Sequence, residues 1–196
     1  MLKRNYFDFF GIERQLALDE VALQKRFYEL SRQWHPDRFT RKSIEEQNEA
    51  LEATSLLNDG YRTLRDPVKR AEYVLTEEGF PIGEQGSKDV PPELLEEVFE
   101  WNMALEEMRG GDESVGPQLE TAKANFLEMR GRIDDELRSL FARFDAAEPE
   151  SETARQALHE IRNVLNRRRY IENLLRDADK ALHPAVAAAE KIEDRL

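Results

Sequence analysis

Two long segments carry apolar residues at spacings built from threes and fours. One holds Leu119, Ala122, Phe126, Met129, Ile133, Leu137 and Leu140, and the other Leu158, Ile161, Leu165, Ile171, Leu175 and Leu182. That period fits one stripe of an α-helix and not the period of two found in strands, so each segment predicts a helix that buries one face in a bundle. Helix breakers at Gly110-Gly111, Gly116-Pro117 and Glu148-Pro149 mark three helices, over about 92–109, 117–146 and 150–183. The first part of the chain reads as helical too. A short turn near Asn5 to Phe10 precedes a helix capped by Asp19, and a third begins at Ser43, whose spacing to Glu46 fits a capping box. Asp66-Pro67 then opens a short helix that fades at Gly79. The expected fold is all-α, with residues 1–78 and 92–196 joined by a glycine- and proline-rich linker at 79–91.

The tripeptide His35-Pro36-Asp37 interrupts this helical pattern. Proline has no amide donor, fixes φ and turns the preceding residue away from the α region, so the helix from Asp19 must stop near Trp34 or His35. A rigid turn then holds an imidazole and a carboxylate at fixed separation, among the polar and charged neighbours Arg38, Thr40, Arg41 and Lys42, which predicts that both face solvent. Taken alone, such a tripeptide is as well explained as a helix stop whose aspartate accepts turn amides.

Composition narrows the function. Of the residues 36% are charged, the formal net charge is −12, and there are no cysteines, which excludes disulfides, thiolate metal sites and cysteine nucleophiles. Residues 1–78 hold 13 Lys and Arg against 15 Asp and Glu, while 79–196 hold 16 against 26. An acidic second part argues against nonspecific nucleic-acid binding, which needs a basic surface; solvation of long exposed helices accounts for it equally well. No apolar run approaches the roughly 18 residues that suggest a membrane span, and Met1-Leu2-Lys3-Arg4 does not open a signal-peptide core, so a cytoplasmic location is expected. No catalytic constellation is visible: a His and an Asp flanking a proline lack a nucleophile or metal, His159 and His183 stand alone, and no phosphate-binding glycine loop appears. The expectation is a binding protein without cofactor or metal.

Within 92–109, Leu94, Val98, Trp101, Leu105 and Met108 form one narrow stripe suited to the bundle interior. Leu95, Phe99 and Met103 form a second row, displaced by roughly 140° on ideal helix geometry. That row packs under the first part of the chain, widens the core, or is an exposed anchor patch for a protein partner, rimmed by Glu96, Glu100 and Glu107. Tyr170 also falls off the seam of the last helix.

The flanks of the tripeptide carry a resemblance. Asn5-Tyr6-Phe7 and Phe10-Gly11 are followed by Leu23, Phe27 and Leu30 on one helical face, then Arg32-Gln33-Trp34-His35-Pro36-Asp37-Arg38-Phe39. After the loop come Ala50, Ala53, Leu57, Asn58, Tyr61 and Leu64, closed by Asp66-Pro67 and Arg70-Ala71-Glu72-Tyr73. Together these closely resemble the J-domain of the HscB (mitochondrial Jac) iron-sulfur co-chaperones, over roughly the first 78 residues. The layout of the remainder agrees; with no cysteine among these residues, the cysteine-rich zinc module of some members is not expected.

The resemblance implies an N-terminal J-domain, a helical hairpin with short flanking helices, followed by a C-terminal three-helix bundle. It implies two partners, a chaperone ATPase of the DnaK or HscA type and an iron-sulfur scaffold of the IscU type. Chaperone contact falls to His35, Pro36, Asp37, Lys25, Arg26, Arg32 and Arg38, and scaffold contact to Leu95, Glu96, Phe99, Glu100, Met103 and Tyr170. Two features depart from the family pattern. Glu96 stands where an apolar residue is usual, so either the scaffold presents a base or Glu96 lies at the rim, and Tyr28 and Glu29 stand where general J-proteins often carry Lys or Arg. The alternatives are a general J-domain co-chaperone whose bundle recruits another client, or a helical assembly protein that has lost its chaperone contact.

Overall fold

The computed structural model describes residues 5–80 and 92–183, and among these the chain is helical with no strand. Seven α-helices follow in order: α1 (Tyr6–Phe10), α2 (Glu20–Trp34), α3 (Ile44–Leu64), α4 (Pro67–Glu77), α5 (Leu95–Arg109), α6 (Gly116–Asp145) and α7 (Glu152–Leu182). They form two compact units. Residues 5–80 group with Leu140–Leu158, and residues 92–139 group with 159–183.

Side chains close the helix starts of the first unit, at Asp19, Ser43 and Asp66 as anticipated and at Asn5 in addition. The Asn5 carboxamide accepts the Phe7 amide at 2.8 Å, and Asp19 accepts the amides of Val21 and Ala22. Ser43 and Glu46 exchange backbone amides reciprocally, at 3.2 and 2.9 Å, and the amides at the start of α4 go to Asp66. The α2/α3 hairpin buries Leu23 and Leu30 with Ala50, Ala53, Leu57 and Leu64, while Phe27 stacks on Tyr61 at 4.2 Å between ring centres.

Helix α1 lies close on α3 at Gly60, where an added Cβ would stand 2.9 Å from the Phe10 ring and 3.0 Å from that of Tyr6. A mid-helix glycine normally costs about 1 kcal/mol relative to alanine. Here the missing methyl is what lets two aromatic rings approach. Gly60→Ala is therefore expected to destabilise the fold by about 1–2 kcal/mol, because overpacking outweighs the propensity gain; an unchanged or raised melting temperature would contradict this packing.

The connection between α1 and α2 has no helix of its own to pair its backbone, and two charged side chains do so instead. Arg70, 3% exposed, donates from Nε to the Leu16 carbonyl at 2.9 Å and from Nη1 to the Leu64 carbonyl. Burial pulls its pKa below the ordinary arginine range, while the carboxylates of Glu20, Asp145 and Asp66 act the other way. Asp145, at the end of α6, accepts the amides of Leu16 and Ala17, both at 2.7 Å. Arg70→Met strands two carbonyls and is expected to cost about 3 kcal/mol, whereas the more exposed Asp145→Ala costs about 1 kcal/mol; urea denaturation of each variant tests the ordering.

In the second unit the ion pairs Lys123 with Asp179 at 2.7 Å, Asp134 with Arg168 at 2.6 Å and Glu136 with Arg167 at 2.6 Å tie α6 to α7. As residue numbers rise along α6 they fall along α7, so the two helices run antiparallel. Trp101 of α5 meets Phe126 of α6 edge-on at 5.8 Å. Leu119, Phe126, Ile133, Leu137, Leu158, Ile161, Leu165, Ile171 and Leu175 are buried as the seam predicts. Ala122, Met129 and Leu182 are only half-buried, and Val164, Leu174 and Ala178 complete the interior.

Helix α5 has 15 residues against 30 and 31 in α6 and α7. At 1.5 Å per residue it covers only about 22 Å of a seam roughly twice that long. The far end of the seam, with Leu140, Phe141, Ala154, Ala157 and Leu158 buried, belongs to the first unit's core.

Candidate functional site

Two surfaces carry the residues singled out from the sequence, one on each unit. On the first, α2 ends at Trp34 and His35 takes an extended ψ of 126°, as a residue before proline must. Pro36–Arg38 follow as one 3-10 turn. The Asp37 amide donates to Nδ1 of His35 at 3.3 Å, and the Asp37 carboxylate lies 3.5 Å from the same nitrogen. Both contacts fall on Nδ1, so the ring is engaged within the turn through one nitrogen. The side chains of His35 and Asp37 are 54% and 86% exposed, so the tripeptide is presented outward.

The surrounding fold braces that presentation. Trp34 and Phe39 stack nearly parallel across the turn, with centroids 6.1 Å apart and planes 6° apart. The Thr54 hydroxyl on α3 lies 3.1 Å from the Trp34 carbonyl, and the Thr40 hydroxyl donates to that of Asp37. Arg38 donates to the Arg32 carbonyl at 3.1 Å, satisfying an orphan acceptor at the end of α2.

The predicted basic residues separate into two roles. Lys25 and Arg32 are exposed, and Lys25 has no ion pair among the described residues. Arg26 is used internally: its Nε donates to the Phe10 carbonyl at 2.6 Å, closing the end of α1, and its Nη1 meets Glu29 at 3.2 Å. Val21, 77% exposed, and Tyr28, 56% exposed, share the outward stripe with Lys25 and Arg32 on ideal helix geometry. The sequence reading passed over Val21 and Thr54; the i, i+7 spacing of Val21 and Tyr28 off the buried face was the available signal for the first.

On the second unit, α5 divides its apolar residues sharply. Val98, Trp101 and Leu105 are at most 5% exposed, whereas Leu95, Phe99 and Met103 are 56%, 65% and 50% exposed. The row is thus an outward patch rather than a widened core. Glu96, Glu100 and Glu107 flank it as exposed carboxylates without an ion pair among the described residues. Tyr170 on α7 is half-buried, and that burial pushes its phenol pKa up. Phe80 is half-buried, and Ile82 lies outside the described residues.

A helical hairpin that presents His-Pro-Asp at its bend, flanked by two short helices, defines a J-domain protein. Residues 5–73 match the DnaJ domain family and residues 90–179 the HSCB C-terminal oligomerisation domain family. The chain is 34% identical over 133 residues to a co-chaperone HscB homolog of Shewanella loihica, covering 68% of this chain and 76% of the relative. It is 38% identical over 106 residues to a homolog of Burkholderia multivorans, covering 54% and 61%. Chaperone HscB from Vibrio cholerae shares the fold with a TM-score of 0.61 at 24% identity, covering 98% of this chain and 99% of that one. Human co-chaperone HscB does so with 0.67 at 23%, covering 94% and 85%. The chain belongs to the HscB co-chaperone family, whose role lies in iron-sulfur cluster assembly. Its J-domain implies a chaperone partner of the Hsp70 type. Among the described residues no helix is long and apolar enough to cross a membrane.

Proposed function

We propose that this chain is a two-handed adaptor of iron-sulfur cluster assembly. The loop His35-Pro36-Asp37, with Lys25, Arg32 and Arg38, engages a DnaK- or HscA-type chaperone and stimulates its ATP hydrolysis. The row Leu95, Phe99 and Met103, with Glu96, Glu100 and Tyr170, holds an IscU-type scaffold. Nucleotide, magnesium and hydrolysis belong to the chaperone, and the adaptor works where the chaperone works, in the cytoplasm, without catalysis or cofactor of its own. Arg26 serves by holding α1 against α2 rather than by direct contact. Joining both surfaces in one chain raises the concentration of scaffold beside chaperone with no new contact.

The observation that carries this reading is the outward exposure of Leu95, Phe99 and Met103 on the same α5 whose other face is packed. A solvent-exposed row of large apolar residues has no use in the bundle itself, and fits a protein partner. A chip carrying the immobilised chain tests the reading: scaffold and ATP-bound chaperone are expected to load together, with additive signals. Mutual exclusion of the two would contradict the adaptor.

A further inference from the structure

Between α5 and α6, round the helix from the exposed row, lies a groove of about 260 Å³. Its floor is apolar, formed by Trp101, Ala104, Leu119 and Phe126. Glu97 and Glu100 stand on the α5 lip, and Gln118, Thr121 and Asn125 on the α6 lip. The volume falls below the roughly 300–1,000 Å³ usual for small-molecule sites, and suits a single long side chain instead.

The charges of α5 are arranged differently from those of the helices behind it. On α6 and α7, Asp134, Glu136, Glu172 and Asp179 each meet a lysine or arginine. Helix α5 carries Glu96, Glu97, Glu100, Glu106 and Glu107 with Arg109 as its one cation, and none of the five carboxylates has an ion pair or hydrogen bond among the described residues. Glu96, Glu100 and Glu107 fall between the apolar row and the groove on ideal helix geometry, so the acidic band is continuous from one to the other.

We propose that this groove receives a lysine or arginine side chain from the protein that covers Leu95, Phe99 and Met103. The proposal rests on the scaffold reading above and adds to it a second, polar anchor on the opposite flank of α5. The chemistry follows from the two surfaces of the groove. A basic residue lays its aliphatic stem along the floor while its cationic head stays at the wet lip, where two carboxylates lack a counter-charge. Glu100 is shared by the row and the groove; Glu97 belongs to the groove alone. The groove thereby selects a partner whose contact surface pairs an apolar patch with a protruding base.

Calorimetric titration of the full chain with an IscU-type scaffold, at roughly 0.05 and 0.5 M salt, tests this. Glu97→Gln is expected to weaken binding about five- to tenfold at low salt and to flatten its salt dependence. Thr121→Arg, which places the chain's own guanidinium beside the same carboxylates, is expected to weaken binding more than about tenfold. Glu120→Gln removes an equal charge from the opposite face of α6 and should leave affinity within about twofold. Thermal melts confirm that each variant is folded. Glu97→Gln and Thr121→Arg that bind like Glu120→Gln, while Leu95→Ala with Phe99→Ala still weakens binding, would overturn the groove and leave the scaffold reading standing. A wild-type chain that does not bind the scaffold would overturn both.

Discussion

Replacing His35 with glutamine is expected to remove stimulation of the chaperone's ATP hydrolysis, returning the rate to within about twofold of the unstimulated value, while scaffold binding is unchanged. The side chain is 54% exposed and holds no helix together, so the variant should melt with the wild type to within about 0.5 kcal/mol. Its importance is geometric. The parallel stack of Trp34 on Phe39 and the Thr54 hydroxyl at the end of α2 brace the turn that carries the imidazole, and Nδ1 accepts the Asp37 amide. A ligand shifts its partner between two states only by binding them unequally, and a ring presented from a braced turn gives that inequality a defined contact. Glutamine keeps polarity and loses the ring. Retained stimulation in steady-state assays would show that the loop is a helix stop and nothing more.

Truncating Leu95 and Phe99 together to alanine is expected to weaken scaffold affinity by about 100-fold, or about 3 kcal/mol, which is what loss of two central apolar anchors usually costs. These side chains are 56% and 65% exposed in the free protein, so their removal opens no cavity and the bundle should keep its melting temperature. Val98→Ala supplies the contrast: at 5% exposure it lies in the packed face of the same helix and is expected to lower stability. Titration calorimetry beside thermal melts separates the two effects. Equal affinity of the double variant and the wild type would remove the row from the interface.

Much of this arrangement was legible in the residues. Asp19, Ser43 with Glu46, and Asp66 each cap the helix their position announced, because capping is local chemistry among neighbours in sequence. That Leu95, Phe99 and Met103 form a row apart from Val98 and Trp101 followed from 100° per residue alone, whereas its exposure did not, because angle does not say what lies against a face. Arg26 did not follow from such reasoning. Its sequence setting is a basic helix, yet its partner, the Phe10 carbonyl, lies sixteen positions away. The buried role of Arg70 and the part played by Asp145 were likewise silent, because Arg70 accounts for the Leu16 carbonyl and Asp145 for the amides of Leu16 and Ala17, and 129 positions separate Leu16 from Asp145. The seam of α6 and α7 was visible, but not that its far end completes the core around the first four helices. An apolar stripe records that a face is buried without naming what buries it.

A two-handed adaptor couples a chaperone's hydrolysis to the presence of a scaffold. Steady-state ATP hydrolysis by a DnaK- or HscA-type chaperone, measured with this protein and an IscU-type scaffold singly and together, tests it most directly. The two together are expected to stimulate more than the sum of their separate effects, and the excess to disappear both with His35→Gln and with Leu95→Ala, Phe99→Ala. Stimulation indifferent to the scaffold would contradict it, and would instead describe a general J-domain co-chaperone whose bundle recruits a different client.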